Sequence, residues 1–258
     1  MRKTIFLFAL LAGTLSLQAQ NYPLRARLSD PNSFSVIVIP DPQSYTKFAA
    51  NQPLFELQTA WIAREIDSLR ILTALCTGDL VEQNENIVLN RKMLNQTSRE
   101  MWEAASHALA RLDGKVPYIV SPGNHDYGYR KAENSRTCFP DYFPFERNPA
   151  WRDVCVATYP NRNGAISLEN AAFAFDDPAW GGLLVVTTEF LPRDEVLDWA
   201  AALIDKPEYR DRKVIFMTHA FLHERSAKRI EKNSYELTPG NTGAEIWRKL
   251  IEPSPNIR

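Results

Sequence analysis

Short apolar runs alternate with helical patterns along most of this chain, and that alternation limits its fold more than any other feature. Four runs have the composition of buried strands, at residues 36–39, 71–76, 116–120 and 214–217. Apolar residues at helical spacing fill residues 54–69 and 97–112, between these runs. Strands that alternate with helices predict βαβ units, and therefore a mainly parallel sheet with helices on its faces.

The middle of the chain contains one long interruption of this pattern. Residues 127–165 are rich in proline, asparagine, arginine and aromatic residues. A stretch of this length inside a compact domain is either an inserted functional loop or a satellite cluster of aromatic side chains, and the sequence favours neither. Regular patterns then resume, with strands predicted at 171–175 and 183–190 and helices at 194–204 and 244–251.

The composition is that of an ordinary globular protein. The 258 residues suffice for one sizeable α/β domain, and 45% of them are apolar and 24% charged. The 30 Lys and Arg residues are balanced by 31 Asp and Glu residues. Proteins that bind nucleic acid usually carry a clustered basic excess, so we expect no nucleic-acid partner.

The first residues have the pattern of a secretory signal peptide. Arg2 and Lys3 precede an apolar stretch at residues 5–17, and Ala19 offers the small residue at which such peptides are cleaved. The apolar stretch is shorter than the roughly 20 residues that span a membrane, so no membrane span is expected after cleavage. We expect a signal peptide at 1–19, a linker at 20–33, a domain at 34–258, and a periplasmic or secreted protein.

The chain has three cysteines, and their spacing excludes a zinc site made of them alone. Cys76 ends a strand-like apolar run, which indicates a buried thiol. Cys138 and Cys155 lie in the same irregular stretch. In an oxidising compartment these two can form a disulfide, and the sequence leaves open whether they are bridged or free.

A side chain able to bind a metal follows each of the four strand-like runs. These side chains are those of Asp41, Asp79, Asn124 and His219. Ligands of open α/β sheets bind beyond the carboxyl ends of the strands, where these residues would meet. Any one of them alone is explained equally well as a turn residue. Their recurrence after four strands, together with the run Gly123-Asn124-His125-Asp126, predicts a shared site.

The order of these motifs resembles that of the calcineurin-like metallophosphoesterase superfamily. The resemblance begins near residue 34 and runs through Asp41-Pro42-Gln43, Gly78-Asp79, Gly123-Asn124-His125-Asp126 and His219. It implies an α/β fold, a β-sandwich with flanking helices in four layers (α/β/β/α). It also implies a phosphoesterase that depends on two divalent metal ions, either Mn, Fe or Zn, and that hydrolyses a phosphomonoester or phosphodiester by metal-activated hydroxide.

The resemblance assigns a role to each residue of the motifs. Asp79 would bridge the two ions, with Asp41 on one and Asn124 and His219 on the other. Gln43 stands where the family commonly has histidine, and we expect its amide oxygen to be a ligand as well.

The same resemblance implies that His125 does not bind metal but faces the substrate, where it protonates the leaving oxygen or stabilises developing charge. Asp126 would hold the imidazole of His125 in place.

One family motif is absent from the chain. No Gly-His-x-His occurs, and the sequence ends at Arg258, where the resemblance would place that motif. We therefore expect a C-terminally truncated copy that lacks the final strands. The alternative is an inactive member that binds phosphate or metal without catalysis.

The sequence does not name a substrate. Phosphorylated small molecules, nucleotides, lipids and phosphoproteins are all compatible with the resemblance. Two segments are candidates for the substrate wall: residues 189–193, and the part of the long loop that carries Tyr127, Tyr129, Arg130, Phe145 and Trp151.

Overall fold

The computed structural model describes residues 26–85, 93–177 and 181–257. The predicted signal peptide at 1–19 and the start of the predicted linker lie outside these residues. The described strands are β1 (Ser35–Ile39), β2 (Ile71–Cys76), β3 (Tyr118–Val120), β4 (Cys155–Pro160), β5 (Ile166–Asp177), β6 (Gly181–Thr187) and β7 (Lys213–Met217). The described α-helices are α1 (Gln43–Thr46), α2 (Gln52–Glu65), α3 (Ser98–Leu109), α4 (Phe139–Tyr142), α5 (Pro149–Arg152), α6 (Asp194–Ile204) and α7 (Gly243–Ile246).

The first sheet is parallel, as the alternation of strands and helices predicted. Its order is β1-β2-β3, and β2 occupies the centre with a partner on each side. Helix α2 connects β1 to β2, and α3 lies between β2 and β3. The carboxyl ends of all three strands therefore lie on one edge of the sheet.

The second sheet differs from the prediction of a mainly parallel arrangement. Its order is β4-β5-β6-β7, in which the pairs β4-β5 and β5-β6 are antiparallel and the pair β6-β7 is parallel. Strand β4 lies within residues 127–165, where no strand was predicted. The residues around β4 are rich in proline and polar residues, so the local sequence does not indicate a strand. The strand forms because its backbone pairs with β5, which follows it in the chain.

Two clusters of buried side chains hold the layers together. The larger contains residues of both sheets and of helices α2 and α3. The smaller joins Ala172, Leu184 and Val186 of the second sheet to α6 and to the helix that begins at α7. Residues next to these in β5 and β6, such as Phe173 and Val185, belong to the larger cluster. Side chains alternate between the faces of a strand, so the second sheet is apolar on both faces.

The carboxyl ends of strands β3 and β6, one from each sheet, are tied directly to each other. The hydroxyl of Thr187, at the end of β6, donates to the carbonyl of Val120 at 2.9 Å. The hydroxyl of Ser121 donates in the opposite direction, to the carbonyl of Thr188 at 3.1 Å. All four groups are buried. The loops that follow β3 and β6 are consequently held at a fixed separation.

The long interruption is packed against the core along much of its length. Phe139, Phe143 and Trp151 are each no more than 2% exposed and belong to the larger cluster. The indole of Trp151 packs on Tyr118 of β3 at 4.9 Å between ring centroids and donates to the Tyr118 carbonyl at 2.7 Å. Removing a buried aromatic of this kind typically costs about 3–5 kcal/mol. The aromatic residues here thus serve the main core.

This packing corrects the expected substrate wall. Tyr127 and Trp151 are buried and cannot face a substrate, and Glu189 and Phe190 of the second segment are buried as well. Phe145 lines a cavity beside β4 and β5, whose lining contains none of the predicted site residues. Tyr129 and Arg130 remain accessible, and they lie on the loop that follows Asp126.

The three cysteines are free thiols in the structure, so Cys138 and Cys155 are not bridged. Cys76 is buried, as predicted. Burial raises the pKa of Cys138 to about 12, and the charge of Glu85 acts in the same direction. Among the described residues, no helix is both long enough and apolar enough to cross a membrane.

Candidate metal centre

The side chain of Asp79 lies at the centre of the predicted site. The loop after β2 turns sharply at Gly78, whose φ of +106° suits glycine, and Asp79 itself adopts a left-handed φ of 50°. A Cβ atom on Gly123 would lie 2.1 Å from the Asp79 carboxylate. Glycine at position 123 therefore allows the loop after β3 to approach Asp79 closely.

The Asp79 carboxylate receives groups from three other segments. Its Oδ1 accepts a hydrogen bond from the His125 backbone N–H at 2.9 Å. Its Oδ2 lies 3.4 Å from Nε2 of His219 and 3.5 Å from Nε2 of Gln43. Burial alone would raise the pKa of Asp79, but the charges of His219 and His125 and their hydrogen bonds lower it. Asp79 is thus held as a buried carboxylate.

His219 reaches the site from the second sheet, just beyond the end of β7. Its Nδ1 lies 2.7 Å from the Thr77 carbonyl, so Nδ1 carries hydrogen and Nε2 faces Asp79. Burial by itself lowers the pKa of His219, yet the charges of Asp79 and Asp41 raise it to about 9. The environment therefore favours positive charge at Nε2, which a metal cation can supply in place of a proton.

Asp41 completes a cluster of three groups able to bind a metal. One ligand atom from each of Asp41, Asp79 and His219 lies within 4.8 Å of the others. Asp41 is partly exposed, and its Oδ1 accepts a hydrogen bond from the Thr77 hydroxyl at 2.9 Å. The resemblance had grouped His219 with Asn124 on one ion. The structure places His219 beside Asp41 as well as Asp79.

Asn124 and Gln43 present amide groups at the same edge. Nδ2 of Asn124 donates to the Arg130 carbonyl at 2.8 Å, which leaves the amide oxygen available as a ligand. Gln43 begins α1, and its Oε1 atom is buried without a hydrogen-bond partner among the described residues. An acceptor buried without a donor is costly, and a cation beside Asp79 would give it a partner.

His125 is held in a way that differs from the expected one. Its Nδ1 lies 2.6 Å from the carbonyl of Glu82, not against Asp126. The carboxylate of Asp126 instead accepts from the backbone N–H groups of Val81 at 3.2 Å and Gly123 at 2.9 Å. Each oxygen of Asp126 thus accepts one hydrogen bond, one from the loop after β2 and one from the loop after β3. Asp126 therefore joins these two loops.

The position of Asp126 also affects its ionisation. It is fully buried, and burial together with the negative charge of Asp79 raises its pKa. The two backbone donors oppose this effect in part. The carboxyl group of Asp126 thus connects two loops inside the protein and is not exposed to solvent.

The residues present fit divalent cations. The donors are carboxylate and amide oxygens with one imidazole nitrogen, a mixture that suits Mn, Fe or Zn. Two carboxylates converge on one imidazole, and an orphaned amide oxygen lies beside them. Such an arrangement places negative charge close to an amide oxygen that accepts no hydrogen bond from the described residues. A metal cation can contact all of these groups at once, whereas a proton cannot.

Several groups that shape the site were missed from the sequence. The carbonyls of Thr77, Glu82 and Arg130 orient His219, His125 and Asn124 respectively. Every residue has a carbonyl, so the sequence contains no signal for which of them take this role.

Comparisons with known proteins give limited guidance. No family model matches the chain. An uncharacterized protein, YvnB, of Bacillus subtilis (strain 168) is 26% identical over 218 residues, which cover 81% of this chain and 14% of that protein. The chain therefore spans only a small part of this curated relative. A crystal structure described as a dimetal phosphatase from Danio rerio aligns with a TM-score of 0.44 at 12% identity, over 88% of this chain and 80% of that one.

Proposed function

We propose that this protein is a metal-dependent phosphoesterase. The observation that carries the proposal is the convergence of Asp41, Asp79 and His219 within 4.8 Å, from three different strand ends. Charged residues that serve only stability usually form ion pairs between acidic and basic side chains at the protein surface. Here the central carboxylate is buried, and next to it lies the amide oxygen of Gln43, which has no hydrogen-bond partner in the part of the chain that the structure describes. The order of motifs in the sequence supports a phosphoester as the substrate.

The residues that would hold two divalent ions are Asp41, Gln43, Asp79, Asn124 and His219. Bound there, the ions would neutralise the charge of a phosphate group and lower the pKa of a water molecule toward neutrality. Asp79 is suited to contact both ions, because its two oxygens face different segments of the site. The Thr77 and Arg130 carbonyls keep His219 and Asn124 in position.

His125 is the residue we assign to proton transfer. Its Nδ1 is bound to the Glu82 carbonyl, so Nδ1 carries a hydrogen and Nε2 is free to hold or release a proton. The side chain is partly exposed, unlike its neighbours Asn124 and Asp126, so it can reach a substrate. We propose that it protonates the oxygen of the leaving group. Asp126 supports it indirectly by joining the two loops that flank it.

Further parts of the proposal concern the molecule as a whole. The two sheets and the helices against them are those of a four-layer α/β/β/α sandwich. The pattern of residues 1–19 supports export to the periplasm or beyond the cell. The substrate is proposed to be a phosphorylated small molecule, nucleotide, lipid or phosphoprotein, with Mn, Fe or Zn as the metal.

The test combines metal binding with hydrolysis. Manganese would be titrated into the chelator-treated protein by calorimetry, and hydrolysis would be followed with p-nitrophenyl phosphate and bis-p-nitrophenyl phosphate. We expect manganese to bind and to activate hydrolysis of at least one ester, with activity abolished by chelation. Manganese binding with no hydrolysis of either ester would favour an inactive binding protein instead. Absence of binding in this titration, and in the same titration repeated with zinc and with iron(II), would overturn the metal site itself.

A further inference from the structure

The segment between His219 and α7 returns to the metal centre through one tyrosine. After His219, residues 220–242 form a long connection whose described structure is irregular, apart from an isolated bridge between Leu222 and Arg229. Most of this connection is exposed. Tyr235 is one of its few partly buried side chains. None of the roles assigned above involves this segment.

A column of aromatic rings connects Tyr235 to a metal ligand. The ring of Phe190 is fully buried and packs edge-on against His219, at 5.9 Å between centroids and an interplanar angle of 62°. Tyr235 packs edge-on against the same ring, at 4.8 Å and 88°. Tyr235 therefore lies one ring away from the imidazole that faces Asp79.

The backbone that follows Tyr235 is fixed in place at two points. The N–H of Glu236 donates to the Lys131 carbonyl at 2.8 Å, which ties the segment to the loop that orients Asn124. Beyond it, the side chain of Arg162 donates to the Pro239 carbonyl at 2.7 Å and to the Leu191 carbonyl at 2.6 Å. Arg162 is 5% exposed, so this clamp is internal. The segment that follows Tyr235 is therefore held at Glu236 and at Pro239, while the Tyr235 ring itself packs on Phe190.

The phenol of Tyr235 is available as a hydrogen-bond donor. Burial raises its pKa, and the negative charges of Asp79 and Glu224 raise it further, so the hydroxyl keeps its proton at neutral pH. Among the residues that the structure describes, none is hydrogen-bonded to this hydroxyl. A partly buried donor without a partner is suited to a ligand.

We propose that Tyr235 is a substrate-binding residue whose hydroxyl donates a hydrogen bond to a non-bridging oxygen of the phosphoester. This inference rests on the proposed function, because it requires a phosphate group at the metal centre. The edge-on contact with Phe190 fixes the position of the Tyr235 ring, one ring away from His219. A donor placed in advance stabilises the charge on the phosphate oxygens without a cost of reorganisation.

The test uses the full chain loaded with manganese and compares Tyr235→Phe with Tyr209→Phe. Tyr209 is also partly buried, but it packs in the smaller core cluster. Inorganic phosphate would be titrated by calorimetry and by ultraviolet difference spectroscopy of the phenol. We expect Tyr235→Phe to weaken phosphate binding about 10-fold and to lower kcat/KM about 10- to 100-fold. Its manganese affinity should stay that of the wild type, and the phenol difference signal should disappear.

The possible failures are distinguishable. Equal phosphate affinity and an unchanged difference signal in all three proteins would overturn the role of Tyr235, while the metal site would stand. Reduced manganese affinity in Tyr235→Phe would show that the residue supports the site structurally and does not bind the substrate. If the wild type binds neither manganese nor phosphate, the proposed function fails, and the role of Tyr235 fails with it.

Discussion

Nε2 of His219 lies 3.4 Å from Oδ2 of Asp79, although the two residues come from the ends of strands in different sheets. Asp79 follows β2 of the first sheet, and His219 follows β7 of the second. Their contact requires the two sheets to be packed and their carboxyl ends to be aligned. The hydrogen bonds between Thr187 and Val120 and between Ser121 and Thr188 provide that alignment. The candidate metal centre is consequently a property of the interface between the sheets.

Asp79 should be the residue on which metal binding depends most. We expect Asp79→Asn to abolish manganese binding measured by calorimetry, because the variant removes the one carboxylate placed between the other ligands. Asp205→Asn, at the exposed end of α6, is the matched control and should bind as the wild type does. Retention of full manganese affinity in Asp79→Asn would contradict the central position assigned to this residue.

His125 should affect turnover much more than metal content. We expect His125→Ala to bind manganese with nearly unchanged affinity and to lower kcat about 100- to 10,000-fold, the usual range for loss of a general acid. His107→Ala is the control, since His107 is exposed on α3. A metal-free His125→Ala protein would show that the imidazole is a ligand and not a proton donor.

Glu133 should influence the metal through the loop that it organises. Its Oε2 accepts hydrogen bonds from the backbone N–H groups of Tyr129 at 2.6 Å and Arg130 at 3.3 Å. The Arg130 carbonyl in turn orients Asn124. We expect Glu133→Ala to weaken manganese binding about 10-fold, as is common when the support of a ligand is lost. Glu231→Ala, an exposed control, should have no effect. If Glu133→Ala and the wild type bind manganese with equal affinity, the loop does not influence the metal centre.

The start of α7 should show a pH-dependent contribution to stability. Thr242 and Glu245 form a capping box, and the backbone hydrogen bond from Thr242 lowers the pKa of Glu245 below its ordinary value of 4.5. The folded state therefore holds this proton less tightly than the unfolded state, so the stabilisation is complete above pH 4.5 and declines as pH falls through the lowered pKa.

We expect Thr242→Ala to reduce the free energy of unfolding by about 1 kcal/mol at neutral pH, measured by urea denaturation. The deficit relative to the wild type should shrink in acid, because protonated Glu245 no longer accepts a strong hydrogen bond in either protein. Ser135→Ala, in an exposed loop, is the control. A deficit that grows as pH falls would contradict the sign of this linkage.

The thiols provide a direct test of the long interruption. We expect three reactive thiols per chain when the protein is unfolded in a denaturant without reductant. In the folded protein, Cys76 should react slowest, since it is fully buried and burial raises its pKa to about 12. One reactive thiol per unfolded chain would indicate the bridge between Cys138 and Cys155 that the structure lacks.

The exact first and last residues of some elements could be predicted, because the residues that determine where they start and end are neighbours in the sequence. Strand Ile71–Cys76 and helix Asp194–Ile204 match the prediction in both bounds. The helix begins with two acidic residues, which favour its N-terminus, and its apolar residues recur at helical spacing. Strand Cys155–Pro160 has no such local signal, and its existence depends on pairing with β5.

The sequence by itself determined which residues stand at the ends of the strands, and hence the candidates for the metal centre. Only the tertiary structure decided their partners. His219 is bonded to the carbonyl of Thr77, 142 positions earlier in the chain, and Asp126 links two loops instead of holding His125. The physical reason is that strand and helix formation respond to neighbouring residues, whereas the partner of a buried polar group is set by the packing of the two sheets.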